Sequence, residues 1–268
     1  MSKASPGPSE SVSESVPPTR SEQVDVQPLY ANRICKDIRQ FFTDPIPDIM
    51  LSPDPENLLI SHAVIIGPEK TPYEGGFFYF YIKLPHDYPF SPPVVKLMTT
   101  NQNTVRFNPN LYKNGKVCLS ILNTWMGPQW SSGSTLSTVL LSIQSIMNDK
   151  PFFNEPGASV YRNPNIDAVK SYNDIILHET IRVAVIGMMK DGFDTKNMPS
   201  VLKEFVANYF KTKISYYEKV IDANIRLDGQ SMNDPFNEPR GLFQYKTLKL
   251  EMEKLKQQHA ADTAQQSN

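Results

Sequence analysis

The stretch NPNLYKNGKVCLSILNTW, from Asn108 to Trp125, decides how the rest of the chain is interpreted. Its Asn-Gly pair at 114–115 is a strong turn signal, because both residue types tolerate positive φ. Apolar and other residues alternate after the turn, which predicts a short extended segment with Cys118 off its apolar face. A side-chain amide, Asn110, lies eight positions upstream of that thiol. This pattern suits a nucleophile held by rigid flanks.

The alternative for Cys118 is packing, because a free cysteine is most often a small buried hydrophobe. The surrounding pattern favours a site, since a turn, the thiol, a short apolar run and a loop rich in Trp, Gly and Pro precede the next helix. Cys35 falls in a predicted helix and is interpreted as structural. None of the histidines lies in a motif resembling a Cys-His protease site. They are His62, His86, His178 and His259.

Length and composition limit the class of protein. The 268 residues allow one large domain, or one domain with an extension, and the net charge of −1 gives no broad basic field for nucleic acid. Two cysteines do not make a disulfide framework, no apolar run reaches membrane-spanning length, and the N-terminus lacks the apolar core of a secretory signal. We therefore expect a soluble protein of the cytoplasm, and also of the nucleus, without nucleic-acid or membrane partners.

The apolar periodicities predict an α+β fold in which an antiparallel meander, rather than alternating strands and helices, is flanked by helices. Proline-rich residues 44–55 are expected to break the chain before the meander, and Ser134 is the expected N-cap of the central helix. The predicted strands are 58–66, 77–84 and 94–98. The predicted helices are 29–42, 135–147, 166–189, 201–227 and a last one ending near 257.

Composition also divides the chain into four parts. Residues 1–27 are rich in Ser, Pro and Glu, and are expected to form a disordered tail. Residues 28–189 would form the core and residues 190–258 a helical C-terminal extension, with a second disordered tail over 259–268. The extension is either extra packing on the core or a device for partner specificity.

Taken together, the motifs resemble those of ubiquitin-conjugating enzymes in both order and spacing. The match is carried by GPEKTPYEGG (67–76), DYPFSPPVVKL (87–97), NPN (108–110), NGKVCLSIL (114–122), the loop containing Trp130, and LLSIQSIMND (140–149). Agreement with one branch of the family extends to NTVRFNPN, TWMGPQW, HETIRVAV and DPFNEPRG. The resemblance covers roughly residues 29–245 and implies the α+β fold of the ubiquitin-conjugating core, with no cofactor and no metal.

The resemblance implies two acyl transfers on Cys118. The thiolate accepts ubiquitin, or a ubiquitin-like modifier, from an activating enzyme as a thioester, and a substrate lysine or a ligase cysteine then takes it. This requires a sulfur that the modifier's tail can reach. Exchange of one thioester for another needs only a fraction of thiolate, so the segment requires no histidine. The alternatives are a modifier- or ligase-binding module without transfer activity, disfavoured by Cys118, and a cysteine hydrolase, disfavoured by the missing base.

The same resemblance suggests further site residues. Asn110 would donate to the oxyanion formed during transfer, with bracing of the turn as the alternative or additional role. Most of the family has His where this chain has Asn108, which leaves the hydrogen bonds of the turn open. In the family, a residue of the loop at 151–157 overhangs the thiol and helps lysine lose its proton. Asn154 occupies the matching position and Glu155 follows it, so both are candidates.

Partner-binding residues are also implied. The first helix docks the activating enzyme in the family, which makes Arg33 and Lys36 candidates, with an ordinary solvated surface as the alternative. Phe90 is either a core residue or a docking aromatic, and docking is favoured because family members contact ligases with this loop. Trp130 lies in the second ligase-binding loop. Ser-Ser-Gly follows it here, where the common pattern is Ser-Pro-Ala.

Overall fold

The structure, a computed structural model, describes residues 28–158 and 166–266. The tail predicted for residues 1–27 lies outside the described residues. In the part that is described, no helix is both long and apolar enough to cross a membrane.

The first helix, α1 (Pro28–Thr43), matches its predicted position to within one residue at each end. Ile34 and Phe41 are buried in the core as its apolar stripe requires. The apolar spacing of Ile34, Ile38, Phe41 and Phe42 predicts one buried stripe on this helix, but Phe42 is 52% exposed. Consecutive residues of a helix are rotated by about 100°, so Phe42 cannot share the inward direction of Phe41.

A four-stranded antiparallel sheet in the order β1-β2-β3-β4 forms the centre of the fold, as the predicted meander requires. The prediction was wrong for residues 44–55, which include strand β1 rather than a simple break. Proline is tolerated there because β1 is an edge strand and Pro53 is its last residue. The strands are β1 (Ile49–Pro53), β2 (Ile60–Ile66), β3 (Phe77–Lys83) and β4 (Val94–Leu97).

Both faces of the sheet are buried, and successive side chains of β2 and β3 alternate between them. One face packs in a cluster with α1 and the central helix, and it includes Ala63, Ile65, Phe78 and Phe80. The other face packs against the C-terminal helices, and it includes Val64, Ile66, Phe77 and Tyr79. This second layer explains why β3 reads as a nearly continuous apolar run.

The central helix, α2 (Leu136–Ile146), is capped by Thr135 rather than by the predicted Ser134. Thr135 has extended backbone angles, and its side chain and that of Thr138 bond reciprocally to each other's backbone N–H. The backbone carbonyl of Ser134 instead accepts a hydrogen bond from Arg33. The cap therefore lies one residue later than sequence pattern suggested.

The helix predicted for residues 166–189 consists of α3 (Ile166–Glu179) and an eight-residue π-helix, Thr180–Gly187. His178 is fully buried at this junction, and the backbone N–H of Gln244 donates to its Nε2 at 3.0 Å. Because Nε2 accepts, Nδ1 carries the proton and donates to Glu179 Oε1 at 3.2 Å. The junction thus joins the core to the C-terminal region.

Helices α4 (Ser200–Asn224) and α5 (Tyr245–Gln266) cover the second face of the sheet. Leu248, Met252 and Leu255, whose spacing predicts the apolar stripe of the last helix, are buried there. The helix continues past its predicted end near 257 and includes the backbone of residues 259–266, which composition had assigned to a loose tail. This last stretch is rich in Ala and Gln, which favour helix.

Candidate active site

Asn110 holds Cys118 by two hydrogen bonds. The backbone N–H of Cys118 donates to the Asn110 carbonyl at 2.9 Å, and Asn110 Nδ2 donates to the Cys118 carbonyl at 2.7 Å. An isolated bridge between Leu111 and Val117 closes the intervening turn. The predicted extended segment is shorter than its alternation suggested, because a 3-10 helix begins at Ser120.

The two cysteines differ in exposure, and the difference is the reverse of the prediction. Cys118 is only 2% exposed, although the sequence favoured a sulfur within reach of a modifier's tail. Cys35, interpreted as structural, is exposed on α1. Val117 and Leu119 belong to the apolar core, whereas Cys118 belongs to neither apolar cluster found in the described residues. Cys118 is therefore a buried residue that is not a member of either apolar cluster.

The electrostatic surroundings of Cys118 act in two directions. Burial raises the pKa of the thiol, while the positive charges of Lys116 and Arg106 partly oppose that rise. The group is consequently protonated at neutral pH in the resting structure. Across the described ranges, no three His, Cys, Asp or Glu side chains are grouped so as to hold a metal.

Asn108 is the buried support of the turn. Its Nδ2 donates to Tyr73 Oη at 2.8 Å and to the Ile146 carbonyl at 2.9 Å. Its Oδ1 accepts from the backbone N–H of Asn110 at 2.9 Å and from Asn154 Nδ2 at 3.2 Å. Both donors and both acceptor positions of this amide are used. The sequence did not predict the hydrogen bonds at this turn. In the structure, Asn108 links the end of α2 at Ile146 to Asn110.

The two candidates on the overhanging loop have different surroundings. Asn154 ends the 3-10 helix Pro151–Asn154, and besides its bond to Asn108 its amide donates to the Ile146 carbonyl at 2.8 Å. Its Oδ1 accepts from Asn148 at 3.1 Å. Glu155 instead pairs with Arg106 Nη2 at 3.3 Å, and its side chain is 35% exposed. Asn154 therefore braces the turn, and Glu155 is the better candidate for accepting a proton.

Arg106 is a site residue that sequence reasoning missed. Its Nη2 donates to the Pro109 carbonyl at 2.8 Å and its Nε to the Asn108 carbonyl at 3.3 Å. Its guanidinium carbon lies 4.3 Å from the ring centroid of Tyr112. Arg106 thus fastens the turn that carries Asn110 and brings positive charge close to the thiol. The only sequence signal was one arginine just before the NPN motif, too weak to assign a role.

Phe90 follows Pro89, whose backbone carbonyl binds Trp130, and we name the region of Phe90 and Trp130 the corner. Phe90 is 66% exposed, so the core alternative for it is wrong, and its ring meets Tyr30 edge-on at 6.2 Å. Trp130 is partly buried, with Nε1 donating to the Pro89 carbonyl at 2.7 Å and its ring 5.9 Å from that of Tyr88. The corner presents a large apolar side chain to solvent, as docking surfaces do.

Arg33 joins α1 to the loop that follows Trp130. Its two terminal nitrogens donate to the carbonyls of Ser132 and Ser134, each at 2.8 Å, and its Nε pairs with buried Asp37 at 2.8 Å. Arg33 therefore has a structural role within the chain, and its role in docking the activating enzyme stays a prediction. Lys36 is exposed on the same helix and remains a docking candidate.

Comparison with known proteins identifies the class. Residues 33–176 match the family described as "Ubiquitin-conjugating enzyme", and the chain belongs to that family. This confirms the resemblance and the α+β fold class inferred from the motifs.

The chain is also similar to individual members of the family. Ubiquitin-conjugating enzyme E2 Z of Xenopus tropicalis is 49% identical over 216 residues, which cover 81% of this chain and 67% of that protein. The E2 Z proteins of Danio rerio and Homo sapiens are 48% and 47% identical, over 81% and 84% of this chain and 64% and 62% of their own lengths. The chain therefore spans about two thirds of the length of these relatives.

Proposed function

We propose that this chain carries ubiquitin, or a ubiquitin-like modifier, as a thioester on Cys118 and transfers it to a lysine of a substrate protein with the help of a ligase. The observation that supports this most is the double hold of Asn110 on Cys118, within a fold and family of acyl-transfer enzymes. The side-chain amide that would steady a developing negative charge is fixed to the residue that would carry the acyl group.

In the first step, the Cys118 thiolate attacks the carbonyl carbon of the modifier's terminal glycine, which is held as a thioester on the activating enzyme. The intermediate collapses by breaking the bond to the activating enzyme, whose thiolate leaves. Because the Cys118 residue is 2% exposed, we expect an opening of the loops beside it when the modifier's tail approaches the sulfur. Loss of the Cys118 proton accompanies that opening, since water and the nearby cations then favour the thiolate.

In the second step, a lysine amine attacks the thioester and negative charge develops on the carbonyl oxygen. Asn110 Nδ2 uses one N–H on the Cys118 carbonyl, and its second N–H is chemically suited to donate to that oxyanion. The attacking amine loses a proton, and Glu155 is a carboxylate of the adjoining loop that can accept it. Collapse of the intermediate releases the Cys118 thiolate and forms an isopeptide bond.

The partners follow from the family. They are ubiquitin or a related modifier, an activating enzyme, ligases and substrate proteins. We assign exposed Lys36 to contact with the activating enzyme, and exposed Phe90 with Trp130 to contact with ligases. Two free cysteines are consistent with the reducing cytoplasm or nucleus, which we propose as its location.

The test is a charging assay with ATP, using each activating enzyme and each modifier in turn. Wild-type chain and Cys35→Ala should both form an adduct that a reducing agent removes, and Cys118→Ala should form none. Cys118→Ser should form a slower adduct that resists thiols, because an ester replaces the thioester. An adduct that survives Cys118→Ala contradicts the assignment. If the wild-type chain takes up no modifier, the module without transfer activity is favoured instead.

A further inference from the structure

Residues 234–240, which we name the linker segment, precede α5 and include a turn closed by the backbone hydrogen bond from Asn237 to Asp234. Arg240 Nε pairs with Asp234 Oδ2 at 2.7 Å, and the two side chains are only 4% and 0% exposed. Asp234 Oδ1 also accepts from the backbone N–H of Phe236 at 2.7 Å. A buried, hydrogen-bonded pair of this kind holds a short segment in one geometry.

The linker segment contacts Arg106, the residue that donates hydrogen bonds to the NPN motif at 108–110. Arg240 Nη1 donates to the backbone carbonyl of Arg106 at 2.8 Å. The Glu238 carboxylate pairs with Arg106 Nη1 at 3.6 Å and with Lys113 Nζ at 3.4 Å. Lys113 belongs to the loop between Asn110 and Cys118. The extension therefore contacts the site both through the guanidinium that fastens the turn and through the turn itself.

The same segment also packs on the overhanging loop. The ring of Phe236 stacks on that of Phe152, with centroids 5.1 Å apart and planes at 16°. Phe236 also meets the buried ring of Tyr172 edge-on at 5.1 Å. Phe152 lies in the 3-10 helix that ends at Asn154. The linker segment thus contacts both the turn that carries Asn110 and the 3-10 helix that ends at Asn154.

We infer that the linker segment is a positioning element for acyl transfer, with Glu238, Arg240 and Phe236 as positioning residues. It acts through Arg106 and Phe152, which place the Asn110 amide and the Glu155 carboxylate relative to Cys118. Small displacements of such groups are costly because transfer depends on their alignment. The inference rests on the proposed function and adds a role for the extension beyond packing on the sheet.

Glu238→Gln tests this inference, with Glu251→Gln as the matched control. Both carboxylates lie in the C-terminal region and pair with a lysine, Glu238 with Lys113 and Glu251 with Lys190 at 3.1 Å, and their side chains are 24% and 34% exposed. The full chain is charged with ubiquitin to completion, the charging is stopped, and discharge to free L-lysine is followed over a range of lysine concentrations.

We expect Glu238→Gln to lower the maximal discharge rate about three- to tenfold, with little change in the lysine concentration at half-maximal rate. Glu251→Gln should match the wild type, and Glu238→Asp should restore part of the rate. Phe236→Leu tests the second contact, because it removes the ring that stacks on Phe152 and meets Tyr172 while leaving the side chains that bind Arg106 in place. It should slow discharge too.

Equal discharge by Glu238→Gln and Glu251→Gln overturns the inference. So does a slower rate accompanied by a lower unfolding temperature than that of Glu251→Gln, since Glu238 would then serve stability alone. A wild-type chain that cannot be charged contradicts the proposed function instead, so the two failures are distinguishable.

Discussion

The turn around Cys118 and the corner around Phe90 are both held by side chains that donate to loop carbonyls, but they differ in what they show to solvent. Asn108, Asn110 and Cys118 are 0%, 5% and 2% exposed, whereas Phe90 is 66% exposed. The candidate site for chemistry is buried in the structure, and the hydrogen-bonded amides of Asn108 and Asn154 brace it. The candidate docking corner is braced underneath by Arg33 and leaves its largest apolar side chain uncovered. Side-chain hydrogen bonds hold the loops of both regions, but only the corner exposes a large apolar side chain that a partner could contact.

The largest expected effect concerns Asn110, which either donates a hydrogen bond to the oxyanion or only braces the turn. Asn110→Ala should still be charged but should discharge to free lysine about 10²–10³ times more slowly, because the oxyanion loses its donor. Asn154→Ala is the control, since it removes an amide that braces Asn108 and the Ile146 carbonyl. Its effect should be much smaller in the same single-turnover assay. Equal losses in the two variants would leave Asn110 with a bracing role only.

An intermediate effect is expected for the alkylation rates of the two cysteines, which test whether Cys118 is buried in solution. With iodoacetamide at pH 7, Cys35 should be alkylated about tenfold faster than Cys118 or more, because Cys35 is exposed and Cys118 is buried. Burial also raises the pKa of Cys118, so its alkylation rate should keep rising above pH 8.5, about the ordinary value for a thiol. Mass spectrometry of the two peptides measures both rates. Faster labelling of Cys118 would show that the site is open in solution.

The smallest effect concerns the corner. Arg33→Ala should lower the free energy of unfolding by about 2 kcal/mol, because it removes charged hydrogen bonds to two carbonyls and to buried Asp37. Phe90→Ala should change it by less than about 0.5 kcal/mol, since the side chain is largely exposed. Urea unfolding measures both values. Similar losses would mean that Phe90 is part of the packing rather than a docking side chain.

Much of the fold was predictable because its signals are local. The stripe in α1, the meander and the Asn-Gly turn follow from periods and turn chemistry that act over a few residues. Strand β1 was missed because its proline reads as a breaker until the strand is known to lie at an edge. The role of Arg33 was missed for a related reason, since its acceptors, Ser132 and Ser134, are about one hundred residues away.

By itself, the sequence determined strands β2 to β4 with their flanking helices, the family, and the association of Asn110 with Cys118, because each depends on patterns within a short stretch. Only the tertiary structure decided that the thiol is covered, that Asn154 faces Asn108, and that Arg240 bonds to Arg106 across 134 positions of sequence. Contacts between distant segments depend on how whole layers pack, and that packing leaves no periodic signal in the residues that make the contact.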